Sequence, residues 1–300
     1  MRVTAWHMYN TFLNDLHSVQ DKMSKSQNKL SSQQEISKPS DDPFGTSQIL
    51  GFDAQLEDVE SYKRNVSDAM GMLDMTDSAL DGVGSAMRRI RDLIVQGSNG
   101  TNDQNALNAI ASEIQQLKGI VQDRSNTQYG DMYLFSGTAT TTQPYPANLY
   151  VGNAGAINRR VAPGLQVQLN VPGDVVFGTT TGPLPSQMNV FDLIDQVVTD
   201  LQTGTPATLQ QLRSLDLQAI DTNLANISQQ RSLIGTTQAR LEVNEQQLSD
   251  LEQRLTDSRS KIADADMAKT MVEFQAQQTM YQSALAAGTR IMQTSILDYL

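Results

Sequence analysis

The sequence contains no cysteine, and only two of its 300 residues are histidines, His7 and His17. The absence of thiols excludes disulfides, thiolate nucleophiles and zinc–thiolate sites. The two histidines have no acidic cluster beside them, so the sequence gives little support to acid–base catalysis or to metal binding. The composition therefore predicts a protein that is not an enzyme and that uses no cofactor and no metal.

Basic residues are also scarce, since 22 lysines and arginines stand against 33 aspartates and glutamates and the formal net charge is −11. Nucleic-acid binding depends on clustered positive charge, so this balance argues against a nucleic-acid partner. Long apolar runs are missing as well. No stretch approaches the roughly 20 apolar residues of a membrane span, and the first residues lack the apolar core of a secretory signal peptide. We therefore expect neither a nucleic-acid nor a membrane partner.

The composition changes abruptly between Ala139 and Val190. This stretch holds six of the nine prolines and only three charged residues, whereas the flanks are rich in glutamine, aspartate, serine, leucine and alanine. From Leu165 to Val171 apolar and polar residues alternate, which is typical of a half-buried β-strand. The pattern predicts a small antiparallel β unit with strands at 148–151, 157–161, 165–171 and 175–177, and with a turn at Pro172-Gly173.

The flanks have a different period, because their apolar residues recur at alternating spacings of three and four. This pattern is typical of long amphipathic helices with a narrow apolar seam, as in coiled coils. A narrow seam at a chain end has little to bury against in a monomer, so we expect the two terminal seams to lie at subunit interfaces. The residues of these axial seams are Phe12, Leu16, Val19, Met23 and Leu30 near the N-terminus, and Met267, Met271, Phe274, Tyr281, Leu285 and Met292 near the C-terminus.

Together these patterns predict a mainly α protein with a β-rich insertion. We expect a long helical rod or coiled coil built from both terminal segments, with a small antiparallel β domain inserted in the middle. Residues 1–40 and 263–300 would form an axial coiled-coil layer. Residues 41–138, with a β-hairpin at their end, and residues 191–262 would form the helical rod domain, and residues 139–190 the outer β domain.

Two acidic pairs lie where helices should begin. Asp41 and Asp42 directly precede Pro43, a residue that is favoured in the first turn of a helix, so one of the two aspartates is expected to cap that helix. Asp264 and Asp266 lack the glycine and the distal glutamate of a calcium-binding loop. We therefore expect both pairs to cap or turn helices and not to contact a ligand.

Four short motifs occur in an order that resembles the flagellin superfamily of bacterial axial proteins. Flagellins carry the first motif as L-S-S-G…R-I…D-D-A, and here Gln33 replaces the glycine and Pro43 replaces the alanine. The third motif is similar to the shared D-A-D-x-A. The second and fourth are similar to the members of the superfamily that join the hook to the filament. In order, the motifs are Leu30 to Pro43 (ending in KPSDDP), Tyr129 to Gly137 (YGDMYLFSG), Ala263 to Ala268 (ADADMA) and Ser295 to Leu300 (SILDYL).

This resemblance implies a structural adaptor of the bacterial flagellum, outside the cell at the hook–filament junction. It implies export in an unfolded state through the flagellar type III apparatus, without a cleaved signal peptide. The implied partners are further copies of the chain in a ring, hook-associated protein 1 on the cell-proximal side, flagellin on the distal side, and an export chaperone. The resemblance also implies terminal segments that are mobile in the monomer and pair as a coiled coil on assembly.

Three other interpretations remain open from the sequence. The chain could be a flagellin filament subunit, which would share the terminal helices and differ mainly at Tyr133 to Gly137 and in the last six residues. It could carry an enzyme within residues 139–190, although that stretch has no histidine, glutamate or lysine and a single aspartate. It could also be a cytoplasmic coiled-coil scaffold, which would leave the third and fourth motifs unexplained.

Overall fold

The computed structural model describes residues 2–99, 102–179, 184–185 and 188–297, and most of these residues are helical. The helices are α1 (Arg2–Ser32), α2 (Pro43–Gly97), α3 (Gln104–Ser125), α4 (Gly173–Phe177), α5 (Val190–Thr203), α6 (Pro206–Gln211), α7 (Leu217–Ala263) and α8 (Met267–Leu297), and a π-helical turn (Leu212–Asp216) joins α6 to α7. Within the described ranges, no helix combines the length and the apolar character needed to cross a membrane.

The strands form two small antiparallel hairpins. The first joins β1 (Gln128–Tyr129) to β2 (Met132–Tyr133), and the second joins β3 (Asn158–Ala162) to β4 (Leu165–Gln168) with a bulge in β3. Gly164, in the turn of the second hairpin, has a φ of 74°, a left-handed conformation that favours glycine. The prediction of a mainly α protein with a β-rich insertion is therefore confirmed.

The prediction is wrong for two of the four strands expected in the insertion. Residues 175–177 lie in the short helix α4, where Val176 and Phe177 are fully buried, and Pro172 stands at its N-cap in extended backbone instead of in a turn. Residues 148–151 form no strand. Side-chain hydrogen bonds, and not pairing with another strand, hold this segment in position. The Tyr150 hydroxyl donates to the carbonyl of Phe135, for example, at 2.9 Å.

By its internal contacts the chain divides into two compact units. Unit 1 takes the described residues up to Val59 and those from Asp250 onward, and so contains α1, α8 and the adjoining ends of α2 and α7. Unit 2 runs from Glu60 to Ser249 and contains the remaining helices, both hairpins and the insertion.

The core of unit 2 lies among α2, α3, α5 and α7, whose inward-facing aliphatic side chains are fully buried. Ion pairs cross between the same helices. Arg231 on α7 bonds to Asp77 at 2.8 Å and to Asp81 at 2.5 Å on α2, and Lys118 on α3 bonds to Asp195 on α5 at 2.6 Å. The hydrogen bond to Asp77, above all, raises the pKa of Arg231. The buried aliphatic residues include Val83, Met87, Ile90, Ile94, Ile114, Val121, Ile194, Val197, Ile220 and Ile227.

A cluster of aromatic rings packs the insertion against α5. Tyr145 packs 4.8 Å from Phe191 and 5.4 Å from Phe177, measured between ring centroids, and its hydroxyl donates to the carbonyl of Gly173 at 2.9 Å. Burial raises the pKa of Tyr145, and burial also raises the pKa of Tyr150 to about 12. Both phenols therefore stay neutral hydrogen-bond donors in physiological conditions, which suits a structural role.

Candidate assembly surface on the terminal helices

The two terminal helices pack against each other in unit 1 and run in opposite directions. At one end, the segment after α1 and the segment before α8 form an antiparallel bridge, with the Glu35 amide donating to the Ala263 carbonyl at 2.7 Å. Towards the other end, Gly288 faces the ring of Phe12, which would lie 2.5 Å from an added Cβ. An antiparallel helix pair therefore joins the first and last parts of the chain.

The α1 side of this pair follows the predicted seam. Its half-buried and buried residues recur at spacings of four and three, as expected for coiled-coil packing. Ser26 is the most buried of them, with 5% of its surface exposed. The seam residues on α1 are Phe12, Leu16, Val19, Met23, Ser26 and Leu30.

The α8 side uses a different set of residues from the one read off the sequence. Phe274 and Tyr281 are half-buried, but Met271 and Leu285 are 49% and 43% exposed. The more buried positions recur at four and three here as well, and several of them are small or polar. These positions are Thr270, Phe274, Gln277, Tyr281, Ala284 and Gly288.

Sequence reasoning missed Thr270, Gln277 and Ala284, because it followed the most hydrophobic residue of each turn. Gly288, the last seam position in the described part of α8, is the signal that could have identified these residues. Counting back from Gly288 in alternating steps of four and three reaches Ala284, Gln277 and Thr270. Met267 is also exposed, at 41%. Met292 lies in α8, but its side chain lies outside the described residues.

Several large apolar side chains on the two helices are therefore open to solvent. Trp6 is 69% exposed on α1, and Val272 and Met280 are 66% and 59% exposed on α8. Unpartnered apolar side chains of this size on one helix pair indicate a surface for association with other protein. Of the exposed residues on α8, Met267, Met271 and Leu285 lie along one side of the helix, and we call these three residues the exposed flank.

The acidic pairs predicted to act as caps lie beside this helix pair, and the structure places them at helix starts. Asp42 accepts from the amides of Phe44 and Gly45 at 3.1 and 3.0 Å and so caps α2. Asp266 accepts from the amide of Lys269 at 3.0 Å and caps α8. Asp264 takes part in the antiparallel bridge with Gln34. The carboxylates of Asp42 and Asp266 are therefore bound by backbone amides, and that of Asp264 accepts from the Ser260 hydroxyl.

No chemical centre is evident in the described part of the chain. His7 and His17 are both exposed on α1, and the described residues contain no group of three side chains suited to hold a metal ion. What unit 1 has among its described residues is exposed apolar surface on a helix pair.

The contact between Phe12 and Gly288 gives a direct test of this helix pair. We expect Gly288→Leu to lower the free energy of unfolding of unit 1 by about 1–3 kcal/mol, because the new side chain must displace the Phe12 ring. Circular dichroism during thermal unfolding measures the loss. Gly51→Leu is the matched control, since an added Cβ there meets nothing within 4 Å. Equal stability of the two variants would contradict the antiparallel pairing.

Two family models match the chain. The model for the bacterial flagellin N-terminal helical region matches residues 3–140, and the model for the bacterial flagellin C-terminal helical region matches residues 217–300. Between them they cover α1, α2, α3, α7 and α8. The chain therefore belongs to the flagellin family, and it is a structural component of the bacterial flagellum.

Within this family the chain is similar over nearly its whole length to hook-associated protein 3. It is 25% identical to flagellar hook-associated protein 3 of Escherichia coli over 315 residues, which span 99% of both chains. It is 29% identical to a flagellin of Halalkalibacterium halodurans over 264 residues, 87% of this chain and 85% of that protein. The resemblance predicted from the four motifs is confirmed.

Solved structures show the same fold. The structure of flagellar hook-associated protein 3 of Legionella pneumophila superposes with a TM-score of 0.66 at 16% identity, covering 71% of this chain and 98% of that one. At this identity the similarity supports the fold alone, which combines long terminal helices with an inserted β-rich segment.

Proposed function

We propose that this chain is the adaptor that joins the flagellar hook to the flagellin filament. The observation that carries the proposal is the similarity to hook-associated protein 3 along 99% of both chains, whereas the similarity to the flagellin of Halalkalibacterium halodurans stops at 87% and 85%. The Tyr129 to Gly137 motif and the SILDYL ending support the same choice, although residues 298–300 of that ending lie outside the described residues.

The proposed work is association and not bond chemistry. Burial of apolar surface is worth about 25 cal/mol per Å², so the exposed methionines and the exposed leucine of α8 can supply energy for subunit contacts. We place these contacts on the exposed flank and on the predicted axial seams, most of whose described residues are only half-buried by the pairing of α1 with α8. Methionine suits such contacts, because its unbranched side chain can repack between neighbours that differ slightly. The protein then needs no cofactor, metal, nucleic acid or membrane.

The proposed partners follow from the place of an adaptor in a growing axial structure. Copies of the chain would form a ring, its cell-proximal side would meet hook-associated protein 1, and its distal side would receive flagellin. Residues 1–40 and 263–300 would build the axial layer, residues 41–138 and 191–262 the helical rod domain, and residues 139–190 an outer domain. Before assembly, an export chaperone would cover the C-terminal seam, and the chain would leave the cell through the flagellar export apparatus without a cleaved signal peptide.

Deletion of the gene in its host tests this proposal. We expect hooks without filaments in negative-stain electron micrographs, together with abundant unassembled flagellin in the medium. Restoring the gene on a plasmid should restore filaments. Normal filaments in the deletion strain would overturn the junction role.

A second candidate is a filament subunit, which the 29% identity to a flagellin favours. Immunogold labelling of the chain in intact flagella separates the two. Label confined to one point next to the hook supports the adaptor, whereas label along the whole filament supports the filament subunit.

A further inference from the structure

A carboxyl group occupies a core position of unit 2. Asp216, the last residue of the π-helical turn, has none of its surface exposed, and Leu212 before it and Ile220 after it are equally buried. Neither oxygen of its side chain has a hydrogen-bond partner of normal geometry among the described residues. A buried carboxylate without a donor is strongly disfavoured, so the structure leaves the charge of this group unexplained.

The carboxyl group that interacts with Asp216 is buried as well. Asp200, near the end of α5, is 4% exposed. Its Oδ1 atom accepts from Nε2 of Gln196 at 3.0 Å, while its Oδ2 atom, like the oxygens of Asp216, is buried without a partner of normal geometry. Two ionised carboxylates would repel each other here, and neither could donate. A single proton between them would supply the missing donor.

The basic groups on the elements packed around this pair are bound elsewhere. Lys118 on α3 pairs with Asp195, and the Arg213 guanidinium of the π turn donates to the carbonyl of Ser98 at 2.6 Å. The Gln211 amide opposes the rise in the pKa of Asp216, but it makes no hydrogen bond of normal geometry with that side chain.

Several other charged groups on α2, α3, α5 and α7 also have partners. Arg91 on α2 pairs with Asp221 on α7 at 2.6 Å, and Arg89 on α2 pairs with Glu113 on α3 at 2.6 Å. On α5 itself, Asp192 accepts from Asn148 at 3.0 Å. A divalent cation would need more oxygen ligands than two carboxylates, and no third acidic or imidazole group joins the pair within the described ranges.

We propose that Asp200 and Asp216 share one proton and act as a pH-sensitive latch that fastens the end of α5 to the π turn. With the proton present, a carboxyl–carboxylate hydrogen bond joins the two elements. When the proton leaves, two negative charges occupy one buried site, and their repulsion loosens the contact. π-Helical turns are often found at functional positions, and this one turns Asp216 towards the core.

The direction of the pH effect follows from burial. Desolvation first, and then the charge of Asp200, raise the pKa of Asp216 from 3.8 to about 7. Between these two values the folded chain keeps a proton that the unfolded chain has lost. Stability therefore falls as the pH rises from about 4 to about 7, and it levels off above that window.

Asp216→Asn tests the latch, because the amide has nearly the same shape, carries its own donor and cannot ionise. The urea-unfolding equilibrium constant of wild type and variant should be measured from pH 4 to pH 8.5. We expect the unfolding equilibrium to shift against the wild type, relative to the variant, by about a hundred- to a thousandfold across this range, since the pKa of Asp216 rises from 3.8 to about 7 and each unit corresponds to a tenfold change. Asp123→Asn, at an exposed acid on α3, is the control and should leave the wild-type profile unchanged.

Asp200→Asn provides a second route if Asp216→Asn fails to fold, since it removes the other half of the pair and should flatten the same profile. Hydrogen–deuterium exchange adds a local readout. In the wild type, amides of residues 197–203 and 212–217 should exchange faster at pH 8 than at pH 5 after correction for intrinsic rates, and this acceleration should be lost in either variant. A wild-type pH profile in a folded variant would overturn the proposal. So would stabilisation of the wild type alone by calcium or magnesium at pH 8, which would assign the pair to a cation.

Discussion

Cells whose copy of this protein carries Leu285→Asp are expected to grow hooks without filaments. Leu285 is 43% exposed on α8, so the isolated chain has room for a carboxylate there, whereas a subunit interface would have to bury that charge. An unpaired buried charge costs several kcal/mol, and in the proposed ring every subunit would carry this cost. Electron microscopy of flagella and an assay of secreted flagellin measure the outcome.

Phe274→Asp should also abolish filaments, but for a different reason. Phe274 is half-buried between α8 and α1, so a carboxylate there weakens the helix pair within one chain as well as any subunit contact. Circular dichroism of the purified variants should show reduced helix stability for Phe274→Asp and wild-type stability for Leu285→Asp. Unit 2 should stay folded in both.

Ser283→Asp is the matched control for these variants. Ser283 is exposed and lies two residues from Leu285, which places it on the opposite side of α8. This variant adds the same charge and should assemble normally. Normal filaments with Leu285→Asp would remove the exposed flank from the proposed interface, and loss of filaments with Ser283→Asp would point to a general sensitivity of α8 to charge.

The terminal helices show which parts of an assembly surface can be read from sequence. The 3-4 spacing of Phe12, Leu16 and Val19 predicts the seam of α1, because large apolar residues occupy its inner positions. On α8 the inner positions include Thr270 and Gly288, while some of the largest apolar residues lie on the exposed flank. Hydrophobicity alone therefore cannot distinguish the face of a helix that packs within the chain from the face that stays open for association.

Features that depend on neighbouring residues could be predicted from the sequence more reliably than features that depend on distant ones. Asp42 and Asp266 cap helices that begin within three residues of them, so a short stretch of sequence contains the whole interaction. The insertion was harder to predict, because its segments are fixed by distant partners, as when Asn148 donates to Asp192. The pairing of Asp200 with Asp216 also depends on how α5 meets the π turn, and no spacing in the sequence reveals it.

Breaking the ion pair between α3 and α5 should cause a large loss of stability in unit 2. Lys118 is 8% exposed, and its ammonium group lies 2.7 and 2.6 Å from the two carboxylate oxygens of Asp195. Asn148 donates to the same carboxylate at 2.7 Å, so the pair also holds the insertion. We expect Asp195→Ala to lower the free energy of unfolding by about 2–4 kcal/mol in urea titrations, because it leaves a buried charge without a partner.

Two further variants separate this cause from a simple loss of packing. Glu113→Ala, on the same helix α3, breaks an ion pair with Arg89 whose side chains are 43% and 53% exposed, and it should cost less than about 1 kcal/mol. Lys118→Met in the Asp195→Ala background should recover more than half of the loss, because it removes the stranded charge and keeps an unbranched side chain in its place. Equal losses for Asp195→Ala and Glu113→Ala, or no recovery in the double variant, would mean that water reaches the Lys118 ammonium through the exposed side of Asp195 and that the pair contributes no more than a surface contact.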